Sequence, residues 1–507
     1  MGEASRLRQG VRTGNGSPGD TPAAFDEMRT ALLPVAAVLA LSACQATPAA
    51  LAPAPAVSPM SAPAVMSAGA AAPSVALDTA FFPAWSRDAV IYEVNVRQFT
   101  PEGTLAALER HLPRLDSLGV DILWLMPVQP IGVEGRKGGL GSYYSIRDYT
   151  AVNPEHGTEA DFRRFVDAAH GHGMRVILDW VANHTSRDHP WTRRHKQWYT
   201  LRPNGTISFP LNQDGTETDW TDVADLNFGN REMRRAMIDA MRWWVERMDV
   251  DGFRMDVAWG IPLDFWGEVH RDLTAARPDV FLLAEAEDPR LHEFFHATYA
   301  WEYHHLLNEV AQGKKPTSEL GRYFAKQDRV YGPAAYRMTF TSNHDENSWQ
   351  GSEFERMGAN HLAAFVLSST IENSIPLLYT GQEVSMNKRL RFFEKDTVDW
   401  SGPSLAPFYR AVFELKESQP ALANGPWGAG QAPLANDGGD RVFAFTRSFG
   451  GNTVLVAVNF GDAPAVVGYR GLGQPGAFTD WFSKAQVPLA AAGGLEIPAH
   501  GYRVLVR

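Results

Sequence analysis

Cysteine is almost absent from this chain: Cys44 is the only one in 507 residues, which excludes an intrachain disulfide and a cysteine-rich zinc site. Basic charge is scarce too. Lys and Arg total 47 against 58 Asp and Glu, a formal net charge of −11, and nucleic acid is bound through a basic footprint that this balance does not supply. The apolar run at 31–40 falls well short of the about 20 residues that span a bilayer. No internal repeat is present, which sets aside repeat arrays. What remains is a globular composition, 44% apolar and 21% charged, too long for one small domain and suited to a large barrel or sheet with an accessory module. Fifteen tryptophans offer flat faces for ligands such as sugars, and equally serve to fill a core.

The N-terminal part reads as a targeting segment. A basic start at Met28-Arg29 leads into the apolar run and then into Leu41-Ser42-Ala43-Cys44, which resembles the bacterial lipobox, whose cysteine is lipidated and becomes the first mature residue. Residues 1–44 are therefore expected to be a signal and lipobox segment. Glu3, Asp20, Asp26 and Glu27 suit a signal n-region poorly, so translation is expected to start at Met28. Residues 45–77 are Ala, Pro, Ser and Val without charge; repeated proline prevents regular helix or strand, and the stretch reads as a tether. Together these place the protein in the bacterial cell envelope, outside the cytoplasm, held to a membrane only through a lipid on Cys44.

From residue 78 onward, short apolar strands alternate with amphipathic helices. Strands are expected at 89–94, 120–126, 175–179, 252–256, 280–285, 337–341 and 375–379, with a weaker one at 298–301, and helical spacing covers 104–118, 160–172 and 231–247. Apolar strands separated by helices indicate a parallel sheet buried on both faces. The unit length of about 30 residues is that of a (β/α)8 barrel: Asp256 to Glu285 is one unit, and Glu285 to Asp345 is two. The fold class is thus α/β, a TIM barrel over 78–423, with a small inserted domain after strand three at about 184–229. Beyond 423 the strands have no helices between them, and 424–507 reads as an antiparallel β-sandwich module.

In such barrels the active site lies just past the C-terminal strand ends, and those positions hold Asp179, Asp256, Glu285 and Asp345. Glycosidic cleavage needs two carboxyls, one ionised and one protonated. Arg254, two residues before Asp256, projects from the same strand face and would keep Asp256 ionised as a nucleophile. Glu285 follows an apolar strand, where desolvation would raise its pKa towards that of a general acid.

Residues 119–127, 179–184, 252–256, Glu285, 340–345 and 376–383 resemble, in order, the motifs of the α-amylase family of glycoside hydrolases, over essentially all of 85–507. The resemblance implies that Asp256 is the nucleophile, Glu285 the acid/base, and Asp345 the stabiliser of the transition state. It also implies that His184, His344 and Arg254 bind the reacting sugar and that Tyr144 stacks on it. The implied activity is retaining hydrolysis of α-glucosidic bonds, mainly α-1,4, in starch-like glucans or malto-oligosaccharides. No cofactor is required for that chemistry. The family's structural calcium site matches Asn183 and Asp225, with a backbone carbonyl at Gly260, although two side chains fall short of the six to eight oxygens calcium takes.

Val257 and Trp259 depart from the pattern of many endo-acting amylases, and Val257 resembles members that cut α-1,6 bonds in short oligosaccharides. An oligosaccharide α-glucosidase or a transglycosylase is therefore a close alternative. A non-catalytic glucan-binding lipoprotein would be marked by a lost carboxylate, and none is lost. A metal hydrolase using Asp179, His184 and His344 lacks a paired-histidine motif. The glycine-rich loop 131–142 is expected to shape a rim, with Arg136 and Lys137 merely solvated.

Overall fold

Eight parallel strands close into a barrel in the computed structural model, which describes residues 81–212 and 215–507. They are β1 Ile91–Val94, β2 Ile122–Leu125, β3 Arg175–Val181, β4 Gly252–Asp256, β5 Phe281–Ala284, β6 Ala297–Tyr299, β7 Tyr336–Phe340 and β8 Ser374–Tyr379. Each pairs with the next, and β1 pairs with both β2 and β8. The expected barrel is found. Its sixth strand is only three residues long and ends two residues earlier than expected, because Trp301 already opens the following helix. The lipobox with Cys44 and the tether lie outside the described residues.

Strand parity decides which side chains reach the lumen. Ile91, Ile122, Trp124, Ile177, Phe281, Leu283, Met338 and Leu377 pack together inside, while Leu123, Val176, Leu178, Phe253, Met255 and Leu282 face the helices. The inward parity also carries Glu93, Asp179, Arg254 and Asp256, which lie toward the C-terminal ends of their strands, beyond the apolar lumen residues. Gly252 permits the close approach of β4 to β5, since a Cβ there would stand 1.9 Å from the carbonyl oxygen of Phe281.

Two expected helices are present with clear caps. Glu159–Gly171 starts in a capping box formed by Thr158 and Asp161, and Arg231–Met248 starts at Asn230, whose side chain accepts from the Met233 amide. The stretch 104–118 is not one helix but two, Leu105–Glu109 and Leu112–Leu118. Pro113 explains the break: it has no amide to donate and its ring would meet the carbonyl four residues back, so it sits in the first turn of a new helix.

The insertion after β3 carries an antiparallel ribbon, His184–Ser186 with Val223–Asp225, in a register that sets Asp225 opposite His184. After the barrel, one six-stranded and one three-stranded antiparallel sheet form the expected sandwich around Leu455, Ala457, Tyr469, Phe478, Leu495 and Leu505. The other face of the larger sheet, with Phe445, Val454, Val456 and Val458, belongs to the same apolar core as Phe365 and Val366 of the barrel helix His361–Thr370. Arg447, 1% exposed, donates to the carbonyls of Thr370, Ile371, Leu422, Ala423 and Ala429.

Candidate active site

A cavity of about 1070 Å³ opens at the C-terminal end of the barrel and is lined by Tyr144, His184, Asp256, Glu285, His344 and Asp345 among others. Asp256 is the last residue of β4 and Glu285 follows β5, with the Glu285 amide donating to the Met255 carbonyl at 3.0 Å. The two carboxyls thus stand on neighbouring strands, which lie about 4.8 Å apart.

Arg254 organises them from below. Its Nη1 donates to Asp179 Oδ1 at 2.9 Å and to Asp256 Oδ1 at 2.8 Å, its Nε donates to the Tyr299 hydroxyl at 3.0 Å, and its Nη2 lies 2.9 Å from Glu285 Oε1 without hydrogen-bond alignment. The guanidinium is fully buried and does not line the cavity. The expected sugar-binding role therefore has no support in its placement: Nη1 holds Asp179 and Asp256, Nε is taken by Tyr299, and Nη2 pairs only electrostatically with Glu285. Asp179 is likewise shut off from the cavity, held by Arg254, by the Trp124 indole at 3.2 Å and by the Tyr144 hydroxyl at 3.0 Å.

Glu285 receives the Val257 amide on Oε2 at 2.8 Å. Val257 itself has φ 48°, a left-handed conformation rare for a β-branched residue, and this turn is what points its amide back at Glu285. Burial pushes the Glu285 carboxyl up to about 8, with Arg254 opposing and Asp256 and Asp345 adding to the rise. The expected environment of a general acid is therefore present.

His344 is held on both sides. Its Nδ1 is 2.5 Å from Glu93 Oε1, and its Nε2 lies 2.7 Å from the Tyr144 hydroxyl and 3.3 Å from Asp345 Oδ2. Burial opposes charge on the imidazole, but Asp345 and Glu93 outweigh it and raise its pKa to about 9. Tyr144 stacks on His344, with ring centroids 5.5 Å apart, and on Phe392. His184 is turned by its Nε2 contact to the Tyr144 carbonyl at 3.2 Å, and burial lowers its pKa.

Aromatic rings and two cationic side chains, Lys137 and Arg290, rim the cavity. Trp220, Trp259, Trp301 and Trp349 line it, whereas Trp124, Trp180, Trp244 and Trp266 are wholly buried, so tryptophan fills both roles the composition allowed. Lys137 is not merely solvated: it lines the cavity and its Nζ donates to the Asp219 carbonyl at 2.8 Å. The same loop reaches the opposite wall through the Leu140 amide on the Phe393 carbonyl and the Gly139 amide on Glu394. The site residues that sequence reading overlooked are Glu93, Tyr299, Trp349 and Phe392. For Glu93 the signal was there, a lone acid in an apolar strand; Trp349 lies in a single π-helical turn and Phe392 in a loop, where no periodicity marks them.

Asn183 and Asp225 offer hard oxygens of the kind calcium takes. Asn183 Oδ1 faces Gly260, and Asp225 is buried with no Lys, Arg or His ion pair among the described residues; burial pushes its carboxyl up to about 6. Among the described residues no group of three or more His, Cys, Asp or Glu could hold a metal ion, so most ligands to a cation there would be carbonyls and water.

A closed (β/α)8 barrel with one buried arginine beneath paired strand-end carboxylates defines a glycosidase-type site. The family profile of the alpha-amylase catalytic domain matches residues 78–402, and the chain belongs to that family. It is 31% identical over 412 residues to an alpha-amylase of Haloarcula japonica, the aligned part covering 76% of this chain and 57% of that protein. Over 227 residues it is 36% identical to an alpha-1,4-glucan:maltose-1-phosphate maltosyltransferase of Cereibacter sphaeroides, 41% of this chain and 37% of the relative. Among solved structures, a maltogenic alpha-amylase from Thermotoga neapolitana superimposes with a TM-score of 0.75 at 27% identity, covering 83% of this chain and 99% of that one.

Proposed function

We propose that the chain hydrolyses α-glucosidic bonds, mainly α-1,4, in starch-like glucans or malto-oligosaccharides, with retention of anomeric configuration. The observation that carries this reading is the shared arginine, whose Nη1 donates to Asp256 Oδ1 at 2.8 Å, beside a Glu285 whose carboxyl burial raises to about 8. In the first step Asp256 attacks the anomeric carbon while Glu285 gives its proton to the leaving oxygen. In the second, Glu285 takes a proton from water as the water displaces Asp256. Asp345, His344 and His184 donate to or accept from the hydroxyls of the reacting sugar, and Tyr144 stacks on its face.

The test is turnover of soluble starch, maltotriose and isomaltotriose, with the product anomer followed by NMR. Retained α-anomer from starch and maltotriose, abolished by Asp256→Asn in a protein of unchanged Tm, is the expected outcome. An inverted product, or substantial turnover by D256N, would sink the assignment. Val257 and Trp259 beside the nucleophile favour a second reading, an oligosaccharide α-glucosidase or transglycosylase, which glucose or transfer products from isomaltotriose would reveal. A chain that binds glucan without turnover would be a binding lipoprotein.

Two finer proposals go with this reading. A structural calcium is held at Asn183, Asp225 and the Gly260 backbone, and a chelator is expected to lower Tm; no step of the chemistry runs through it. The chain is lipid-anchored through Cys44, and Cys44→Ala is expected to move it from the membrane fraction to the soluble one. No helix among the described residues is long and apolar enough to cross a membrane.

A further inference from the structure

Glu93 is a carboxylate at the barrel mouth that neither lines the cavity nor touches Arg254. It is fully buried at the inward parity of β1, between Trp124 of β2 and Tyr379 of β8 in the strand register. Its Oε1 has one partner, His344 Nδ1, and its Oε2 has none. A buried carboxylate with an orphaned oxygen is unfavourable for the fold unless something compensates it, and an apolar side chain would fill this place in the lumen as well. Its compensation comes from a residue of the site.

From His344 the contacts run on without a gap. Nε2 meets the Tyr144 hydroxyl, which meets Asp179 Oδ2, and Asp179 shares Arg254 with Asp256. The direction of the protons along this chain is set at its end. Glu93 lies at Nδ1 and Asp345 near Nε2, and these two carboxylates raise the imidazole to about 9, so at neutral pH the ring carries both protons and presents an N–H at Nε2 as well as at Nδ1. The Tyr144 oxygen then accepts from the imidazole, and the Tyr144 proton points to Asp179. The charged groups facing His344 are Glu93 from β1, Asp345 from its own loop, Asp179 from β3 and Arg254 from β4.

We propose that Glu93 is a positioning residue of the reaction, which through Nδ1 fixes the ring of His344 so that its Nε2–H is presented to the sugar and to Tyr144. This rests on the glycosidase reading above. The sugar's hydroxyls acidify as the anomeric centre becomes oxocarbenium-like, so a fixed donor there strengthens in the transition state and acts on kcat more than on KM.

The test is a double-mutant cycle of Glu93→Gln and His344→Gln on maltotriose, with Tm measured alongside. E93Q is expected to lower kcat about tenfold or more with KM little changed, and E93D to recover part of the loss. The double variant is expected to be no slower than H344Q alone, because one acts through the other. Unchanged kcat in E93Q, or losses that multiply in the double variant, would overturn the proposal. So would an E93Q protein far less stable than H344Q, since Glu93 would then serve the fold. Absence of α-glucoside turnover in the unaltered protein would instead remove the glycosidase reading; turnover with an indifferent E93Q removes only this inference.

Discussion

Arg254 Nη1 lies 2.8 Å from Asp256 Oδ1 while the arginine itself is wholly shielded from solvent. The carboxylates are thus positioned by a group that does not itself line the cavity. Arg254→Met leaves Asp179 and Asp256 buried without their cation, and removing one partner of a buried pair costs about 3–5 kcal/mol. The expected outcome is a clear fall in Tm together with loss of turnover. Arg254→Lys keeps the charge but not the fork, and is expected to recover more Tm than activity; equal recovery of both would argue against a positioning role.

The rise of the Glu285 carboxyl to about 8 has a definite sign. A raised carboxyl holds its proton below its pKa and loses it above, so the general-acid form predominates at neutral pH and drains away in the alkaline range. The logarithm of kcat/KM is expected to fall above about pH 8. Glu285→Gln is expected to retain glycosylation from substrates with good leaving groups, which need no proton. An alkaline limb that persists unchanged in E285Q would assign it to another group.

Gly138 has φ 65°, and a Cβ there would stand 2.4 Å from the Phe393 Cβ. Gly138→Val therefore strains the backbone and displaces the wall that carries Phe393. A rise in KM with kcat nearly kept is expected, read from kinetics on maltotriose and on longer oligomers.

Trp349, 52% exposed, stands 5.4 Å from the ring of Phe392 at the cavity rim. Loss of one stacking face is worth about 1 kcal/mol, so Trp349→Ala is expected to raise KM on long glucans about fivefold at unchanged Tm. Maltotriose kinetics should respond less if the ring serves a distant sugar.

Most of the barrel was legible because alternation and apolar runs report burial directly. The outlines of β1 to β5, β7 and β8 follow from 89–94 through 375–379, and Asp256, Glu285 and Asp345 follow from their place at strand ends. β6 was the weakest because three residues carry too little pattern. The helix expected over 104–118 failed at one residue, Pro113, whose steric demand outranks the helical spacing around it. The parity of Arg254 with Asp256 is visible in sequence and gives their pairing, whereas its place at the sugar came from the family resemblance, and the depth of its side chain is not legible in sequence. Glu93, Trp349 and Phe392 act through partners more than 40 positions away in the chain, or from loops, and local pattern carries no trace of such pairings.

The family profile stops at residue 402, yet the material of the molecule does not part there. Arg447 closes the carbonyls at the end of His361–Thr370, and the sandwich face carrying Val454, Val456 and Val458 is the cover of that helix. The profile marks only where the catalytic-domain pattern ends; mechanically there is no seam. A chain cut at 402 would present raw carbonyls and a bare apolar flank directly behind β8, so the sandwich is a wall of the catalytic housing and cannot be lifted off as an ornament.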